Sequence, residues 1–312
     1  MGHAFVFPGQ GSQSVGMGKG LADAFPAARE VFEEVDDALE RALTKIMWTG
    51  DMETLSLTAN TQPALMAHSV AMMRVLEKDA GADIGAATFV AGHSLGEYSA
   101  LCAAGALPLA ETARLLQKRG EETQAAVPPG EGAMAALIGV DLEGAEAAIA
   151  ATPGEGVLEI ANDNAPGQVV VSGAKARIDA LVADAKSHKI KMAKVLPVSA
   201  AFHCSMMAPA ADAMAGPIGD APLTPPKSPV VANVTARETS HPDDIRKRLV
   251  EQITGRVRWT ESVLYMGEQG VDTFYEVGSG KVLSGLMRRI SKEATTASFG
   301  EPDDVDAFAK AL

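Results

Sequence analysis

The clearest chemical signal in the sequence is Ser94, the central residue of the pentapeptide G-H-S-L-G at positions 92–96. An apolar run at 87–91 precedes the pentapeptide and a segment of small residues at 97–105 follows it, so the chain is expected to turn sharply from a strand into a helix. The flanking glycines allow that turn, and free N–H groups at the helix N-terminus favour negative charge beside the serine. The pattern predicts a nucleophilic Ser94, with an ordinary glycine-rich turn as the alternative.

A serine nucleophile needs a base, and the chain has six histidines to supply one. His203 lies in a predicted loop, and loops at the edge of a rigid sheet are where functional groups are presented. His93 lies inside the pentapeptide, so its ring is expected to point away from the Ser94 hydroxyl and to support the turn. His203 is therefore the first candidate base, with the other five histidines together as the alternative.

Arg119 is an unusual residue on the predicted helix 109–126. Counting from Leu115 and Leu116, at helical spacing, places its side chain on the apolar stripe. A guanidinium that faces a core needs an anion, and its planar fork suits a carboxylate. The sequence leaves two alternatives open, the carboxylate of a bound ligand and an internal salt bridge.

The glycine-rich loop at 9–13 does not match a phosphate-binding pattern. The dinucleotide fingerprint would need glycine at position 14, where the chain has Ser14, and no P-loop can be assembled around Lys19. In elbow enzymes a loop after another strand supplies the second oxyanion donor. The backbone N–H groups of this loop are therefore candidates to form an oxyanion hole together with that of Leu95.

Composition limits the partners and the compartment. The net charge of −13 disfavours nucleic acid and anionic membranes as partners. Cys102 and Cys204 are too few for a disulfide framework or a cysteine-based zinc site, so free thiols are expected. With neither a long apolar run nor a signal-peptide pattern, the expected location is the cytoplasm. Basic residues cluster at 186–194, 246–248 and 288–289. Each cluster is either a solvated face or a contact for an acidic partner.

The order of predicted elements indicates an α/β protein. Strands and helices alternate up to position 126, with helices expected at 26–43 and at 62–79, where Pro63 suits a first turn. This alternation favours a mostly parallel sheet covered by helices on both faces. The order βαββαβ follows over 133–196 and is typical of a ferredoxin-like unit. The predicted domains are a discontinuous catalytic domain, 1–127 and 198–312, and an inserted subdomain, 128–197.

Six segments together resemble the malonyl-CoA:acyl carrier protein transacylases. They are F-P-G-Q-G-S-Q at 7–13, T-Q-P-A-L at 61–65, G-H-S-L-G-E at 92–97, N-A-P-G-Q-V-V at 164–170, F-H-C at 202–204 and Y-E-V-G-S-G-K-V-L at 275–283. The resemblance is specific, runs nearly end to end, and implies an α/β-hydrolase-like domain carrying a ferredoxin-like insert. It also implies a ping-pong transfer of malonyl from malonyl-CoA through Ser94 to the phosphopantetheine thiol of acyl carrier protein. No metal or cofactor is implied, and a monomer is expected.

The resemblance also assigns roles to individual positions. Ser94 is the acylated nucleophile, His203 its base, and Arg119 the ligand of the malonyl carboxylate. The remaining implied residues are the oxyanion donors Gln10 and Leu95, the backbone carbonyl of Gln252 that orients His203 in place of an acidic residue, and the pocket residues Gln62 and Asn233.

One position departs from many bacterial members of the family, which have serine where this chain has Phe202. The Phe-His pair resembles malonyl-type acyltransferase domains of polyketide synthases, and it favours malonyl over methylmalonyl while leaving the acceptor pathway open. A serine esterase or thioesterase is the rival enzyme, but it gives no reason for a core-facing Arg119. A docking module without chemistry would not need both Ser94 and His203.

Overall fold

The computed structural model describes residues 2–198 and 200–310 and shows a mixed α/β fold built on two sheets. The strands are β1 (Gly2–Phe7), β2 (Phe89–Gly92), β3 (Gly132–Ile138), β4 (Leu158–Ala165), β5 (Gln168–Ala174), β6 (Met192–Val195), β7 (Val230–Ala232), β8 (Arg237–Thr239), β9 (Val257–Arg258), β10 (Val271–Val277) and β11 (Thr295–Phe299). The helices are α1 (Lys19–Ala24), α2 (Pro26–Ala38), α3 (Leu43–Thr49), α4 (Met52–Ser56), α5 (Thr58–Asp79), α6 (Leu95–Ala103), α7 (Leu109–Ala125), α8 (Leu142–Ala151), α9 (Lys175–Ala183), α10 (Ala208–Asp220), α11 (Pro242–Thr254), α12 (Trp259–Glu268), α13 (Val282–Ile290) and α14 (Asp304–Ala309).

The larger sheet has the order β11-β10-β1-β2-β7-β8 and is parallel except for the edge strand β8. Its central strand β1 is buried on both faces. Phe5 and Phe7 belong to the core on one side, while Ala4 and Val6 belong to the core on the other. Helices on both faces explain why positions 4–7 of the strand are a continuous apolar run, with no polar residues alternating along it.

The smaller sheet has the order β6-β3-β5-β4-β9, and its first four strands are antiparallel. The element order βαββαβ over this region agrees with the sequence prediction. One face packs a core that includes Ile178 of α9 and Ala145 of α8, and the other presents Met134 and Val170 towards Phe202. The fifth strand, β9, pairs with β4 from outside 128–197, so the sheet extends beyond the predicted insert.

Two helix boundaries differ from the sequence prediction. The helix expected at 26–43 ends at Ala38, and Glu40 adopts a left-handed backbone (φ 52°) before α3 begins at Leu43. The helix expected to begin at Gln62 begins at Thr58, so Pro63 lies inside α5. Proline has no N–H to donate to the Ala59 carbonyl one turn earlier. Arg41 donates its Nη2 to that carbonyl instead, at 3.1 Å.

Several elements of the last third were not predicted, namely α10, α14 and the short strands β7, β8, β9 and β11. Among residues 2–198 and 200–310, the structure contains no helix with the length and apolar character needed to cross a bilayer.

Candidate active site

Ser94 lies on a strained turn between β2 and α6. Its backbone has φ 54° and ψ −112°, a region that residues with a Cβ rarely adopt. A side chain at Gly92 would overlap the carbonyl oxygen of Gly96, and one at Gly96 would overlap that of Phe7. Only glycine therefore fits on either side of the serine, and the predicted turn from strand to helix is observed.

His203 contacts the Ser94 hydroxyl across 109 residues of sequence, with Nε2 2.8 Å from Oγ. Its Nδ1 lies 2.9 Å from the carbonyl oxygen of Gln252 and 3.2 Å from that of Gly255. Because carbonyl oxygens only accept, Nδ1 carries the proton and Nε2 is left to accept from the serine. Burial, and then the nearby Arg119 charge, lower the pKa of His203 to about 3, so the imidazole is neutral at pH 7.

Arg119 is 4% exposed, and its guanidinium reaches the serine. Nη1 donates to Gln62 Oε1 at 2.7 Å, and Nη2 donates to Gln252 Oε1 at 3.0 Å and to Ser94 Oγ at 3.1 Å. All three acceptors are neutral, and among the residues that the structure describes no ion pair includes Arg119. The internal salt bridge that the sequence left open is therefore not observed.

A cavity of about 680 Å³ opens in front of Ser94, between the larger sheet and the cleft-facing side of the smaller one. Ser94, His203 and Arg119 all line it. The other predicted site residues that line it are Gln10, Gln62, Leu95 and Phe202, and apolar walls come from Met134, Leu196 and Val198. The structure thus brings seven of the nine predicted residues around one space large enough for an acyl thioester.

Asn233, expected to line the pocket, lies behind the turn instead. Its Oδ1 accepts from Ser94 N at 2.7 Å and its Nδ2 donates to the carbonyl of Gly92 at 2.7 Å. Spanning the turn in this way buries the amide, which is 1% exposed. The Ser94 N–H is thereby occupied, and Asn233 fastens the strained backbone.

His93 points away from the serine, as the sequence predicted. Its Nε2 lies 2.8 Å from Asn164 Oδ1 on β4, and its ring packs 5.8 Å from that of Trp259. The turn is thus attached to the smaller sheet through the residue that precedes the nucleophile.

Sequence reasoning missed a buried acid, Glu97, and the side chain of Gln252. Gln252 Nε2 donates to Glu97 Oε2 at 2.8 Å, and Asn233 N donates to the same oxygen at 2.9 Å. Burial raises the pKa of Glu97 to about 7. The available signal was an acidic residue in the otherwise small and apolar segment after the pentapeptide, where a solvated position is not expected.

Two other groups that could carry chemistry are metal-ligand clusters and thiols. The described residues contain no group of three or more His, Cys, Asp or Glu side chains that could hold a metal ion. Both cysteines are free and buried, and burial raises the pKa of Cys102 to about 11 and also raises that of Cys204. Thiols held protonated in this way are poor nucleophiles.

Comparison with known proteins agrees with this geometry. The profile of a family described as acyl transferase domain matches residues 4–301. The chain is 45% identical over 305 residues to the malonyl CoA-acyl carrier protein transacylase of Escherichia coli (strain K12), covering 97% of each. An acyl-carrier-protein S-malonyltransferase structure from Bartonella henselae superposes with a TM-score of 0.97 at 50% identity, covering 100% and 99% of the two chains. A malonyl-transacylase in complex with its type II PKS acyl-carrier protein superposes at 0.96, with 39% identity and full coverage of both.

Proposed function

The chain belongs to the acyl transferase family and, within it, to the malonyl-CoA–acyl carrier protein transacylases, and from that premise we propose a two-step transfer through Ser94. In the first step His203 Nε2 takes the hydroxyl proton while Ser94 Oγ attacks the thioester carbonyl of malonyl-CoA. The C–S bond breaks, CoA leaves with the proton from His203, and a malonyl ester remains on Ser94. In the second step the phosphopantetheine thiol of acyl carrier protein gives its proton to His203 and attacks the ester carbonyl. The ester C–O bond breaks, malonyl leaves on the carrier sulfur, and His203 returns the proton to Ser94 Oγ.

The proposed oxyanion donors are the backbone N–H groups of Gln10 and Leu95. Leu95 is the first residue of α6, where N–H groups have no intrahelical partner, and Gln10 lines the same cavity. The N–H of Ser94 itself is already bound to Asn233. Two donors that are fixed before the substrate arrives would stabilise the tetrahedral intermediate without a reorganisation cost.

The single observation that carries the proposal is Arg119, a buried guanidinium with only neutral partners, 3.1 Å from the nucleophile. The cost of burying this charge is offset when an anion binds, and malonyl carries a free carboxylate one methylene group from its thioester carbonyl. Pairing would also neutralise the positive charge that helps to hold down the pKa of His203. Binding of a malonyl group would therefore strengthen the base that activates Ser94.

The proposal extends to the domain organisation. We propose an α/β-hydrolase-like domain, 1–127 and 198–312, that carries the chemistry, with a ferredoxin-like subdomain at 128–197 inserted into it. The cavity lies between the two, so the subdomain would supply the acyl-pocket wall through Met134. We also propose that the enzyme acts in the cytoplasm as a monomer, without metal or cofactor, in fatty-acid synthesis. A polyketide carrier remains a second candidate acceptor because a structural relative is in complex with one.

A test of the proposal separates transfer from hydrolysis. Mixing the protein with malonyl-CoA in the absence of carrier should release about one equivalent of CoA and add one malonyl group to the intact mass. Adding carrier should then discharge that group onto the carrier within the turnover time. Continuous CoA release without carrier would identify a thioesterase, and an unchanged mass with no CoA release would identify a docking module.

A further inference from the structure

Glu97 is a buried acid that the transfer steps do not use. It lies in the first turn of α6, three residues after Ser94, and it is 2% exposed. Its Oε2 accepts two hydrogen bonds, from the side chain of Gln252 and from the backbone of Asn233. Gln252 contacts Arg119 and Asn233 contacts Ser94, so one residue separates the acid from each of these two site residues.

The side chain of Gln252 connects Glu97 to Arg119 through hydrogen bonds. A glutamine amide can be turned either way, and only one orientation presents its carbonyl oxygen to a guanidinium. Here Nε2 donates to Glu97 and to the carbonyl of Ser94, at 2.8 and 3.1 Å, and Oε1 accepts from Arg119 at 3.0 Å. The reversed amide would place donors against donors and acceptors against acceptors. The oxygen of Glu97, together with the carbonyl oxygen of Ser94, therefore selects the orientation that holds Arg119.

Asn233 connects Glu97 to the nucleophile Ser94 through hydrogen bonds. The backbone N–H of Asn233 donates to Glu97 at 2.9 Å, while its side chain spans Ser94 N and the carbonyl of Gly92. Ser94 has a positive φ, and a strained backbone of this kind persists only where its surroundings hold it. Glu97 thus fixes the residue that fastens the turn.

We propose that Glu97 is a positioning residue: one oxygen of its carboxyl group orients Gln252 towards Arg119 and seats Asn233 on the turn at Ser94. The inference rests on the proposed malonyl transfer. The acceptor oxygen is the required feature, and the negative charge is not, because a protonated carboxyl group keeps one accepting oxygen. A pKa raised to about 7 is compatible with this, since both forms are then present at neutral pH.

Two conservative substitutions separate the oxygen from the charge. Glu97→Asp keeps the charge but withdraws the oxygen by about 1.5 Å, one C–C bond, which takes it out of hydrogen-bond range. Glu97→Gln removes the charge but keeps an accepting oxygen at full length. The measurement is kcat/KM for malonyl-CoA divided by kcat/KM for acetyl-CoA. We expect this ratio to fall about tenfold or more in Glu97→Asp, as for loss of a hydrogen bond to a charged group, and to stay within about threefold of wild type in Glu97→Gln.

Glu276 provides the matched control, because it is also a fully buried acid but accepts from the backbone of Leu283 and Ser284 in α13. Glu276→Gln should alter thermal stability without altering the ratio. An unchanged ratio in Glu97→Asp, or an equal fall in Glu97→Gln, would overturn the role of the oxygen. If wild type takes malonyl and acetyl equally well, malonyl selection by Arg119 fails first, and the inference fails with it.

Discussion

Replacing Arg119 by alanine should remove the preference for malonyl-CoA while sparing transfer of acetyl. The guanidinium is buried, its hydrogen-bond acceptors Gln62, Gln252 and Ser94 are neutral, and it forms no ion pair among the described residues, so its charge can pair with a substrate carboxylate. Truncating one partner of a buried, hydrogen-bonded charge pair costs about 2–5 kcal/mol. At 1.36 kcal/mol per factor of ten, kcat/KM for malonyl-CoA should fall by about 30-fold at the lower limit and by about 5000-fold at the upper limit.

The assay follows CoA release from malonyl-CoA and acetyl-CoA with saturating carrier. Arg114→Ala is the matched control, because Arg114 lies on the same helix, with a side chain that is 56% exposed and pairs with Glu111. That variant should behave as wild type with both substrates. Acetyl has no carboxylate to lose, so its kcat/KM should remain level or rise in Arg119→Ala. Equal losses for malonyl and acetyl would show that Arg119 only supports the fold, and the proposed recognition would be wrong.

Three further predictions concern Phe202 in the pocket wall, His203 as the base, and Arg288 as a contact for acyl carrier protein. Phe202→Ser should raise use of methylmalonyl-CoA relative to malonyl-CoA by about tenfold, because one methyl group in an apolar pocket is worth about 1–3 kcal/mol; an unchanged ratio of kcat/KM would remove Phe202 from specificity. The pKa of His203 is lowered to about 3, so the imidazole stays neutral on acidification, and kcat/KM for Ser94 acylation should stay level from pH 8 to 5. With an ordinary imidazole pKa of 6.5, kcat/KM would fall about 30-fold over the same range. Arg288 is exposed, so Arg288→Glu should raise KM for the acidic carrier, most strongly at low salt, and leave Ser94 acylation unchanged. Equal effects on both half-reactions would show that Arg288 does not act in carrier docking.

The structure changes how the basic clusters should be tested. Arg289 donates to Gln168 Oε1 at 2.6 Å and to the carbonyl of Pro166 at 2.8 Å, so it ties α13 to the turn between β4 and β5. Reversing its charge would disturb that contact as well as any carrier. Arg288, with one hydrogen bond to Thr296, and the exposed lysines at 186, 189, 191 and 194 are cleaner positions.

Features that depend on short-range geometry could be predicted from local sequence patterns. The two glycines around Ser94 require a tight turn, and the helical period placed Arg119 on the buried side of α7. The mixed α/β class followed from alternating strands and helices, and it is confirmed. The roles of the site residues stay predictions, although Ser94, His203 and Arg119 are brought into contact.

Other features depend on contacts between distant residues, which periodicity does not encode. Asn233 and Ser94 are 139 residues apart, and only the folded chain shows that the amide fastens the turn from behind. The early start of α5 places Pro63 inside the helix, and Arg41, 18 residues from Ala59, donates to the carbonyl that Pro63 leaves free. Glu97 accepts hydrogen bonds from Gln252 and Asn233, which lie 155 and 136 residues away, so its partners could not be found from the local pattern.

The central claim is that the acyl group passes through an ester on Ser94. Wild-type protein should be quenched in acid seconds after mixing with malonyl-CoA, digested, and analysed by peptide mass spectrometry, with Ser94→Ala and His203→Ala treated in parallel. We expect a malonyl group on the Ser94 peptide of wild type, none in Ser94→Ala, and an ester that forms several orders of magnitude more slowly in His203→Ala. A malonyl group that still accumulates on Ser94→Ala protein, or transfer to carrier that proceeds in that variant, would contradict it.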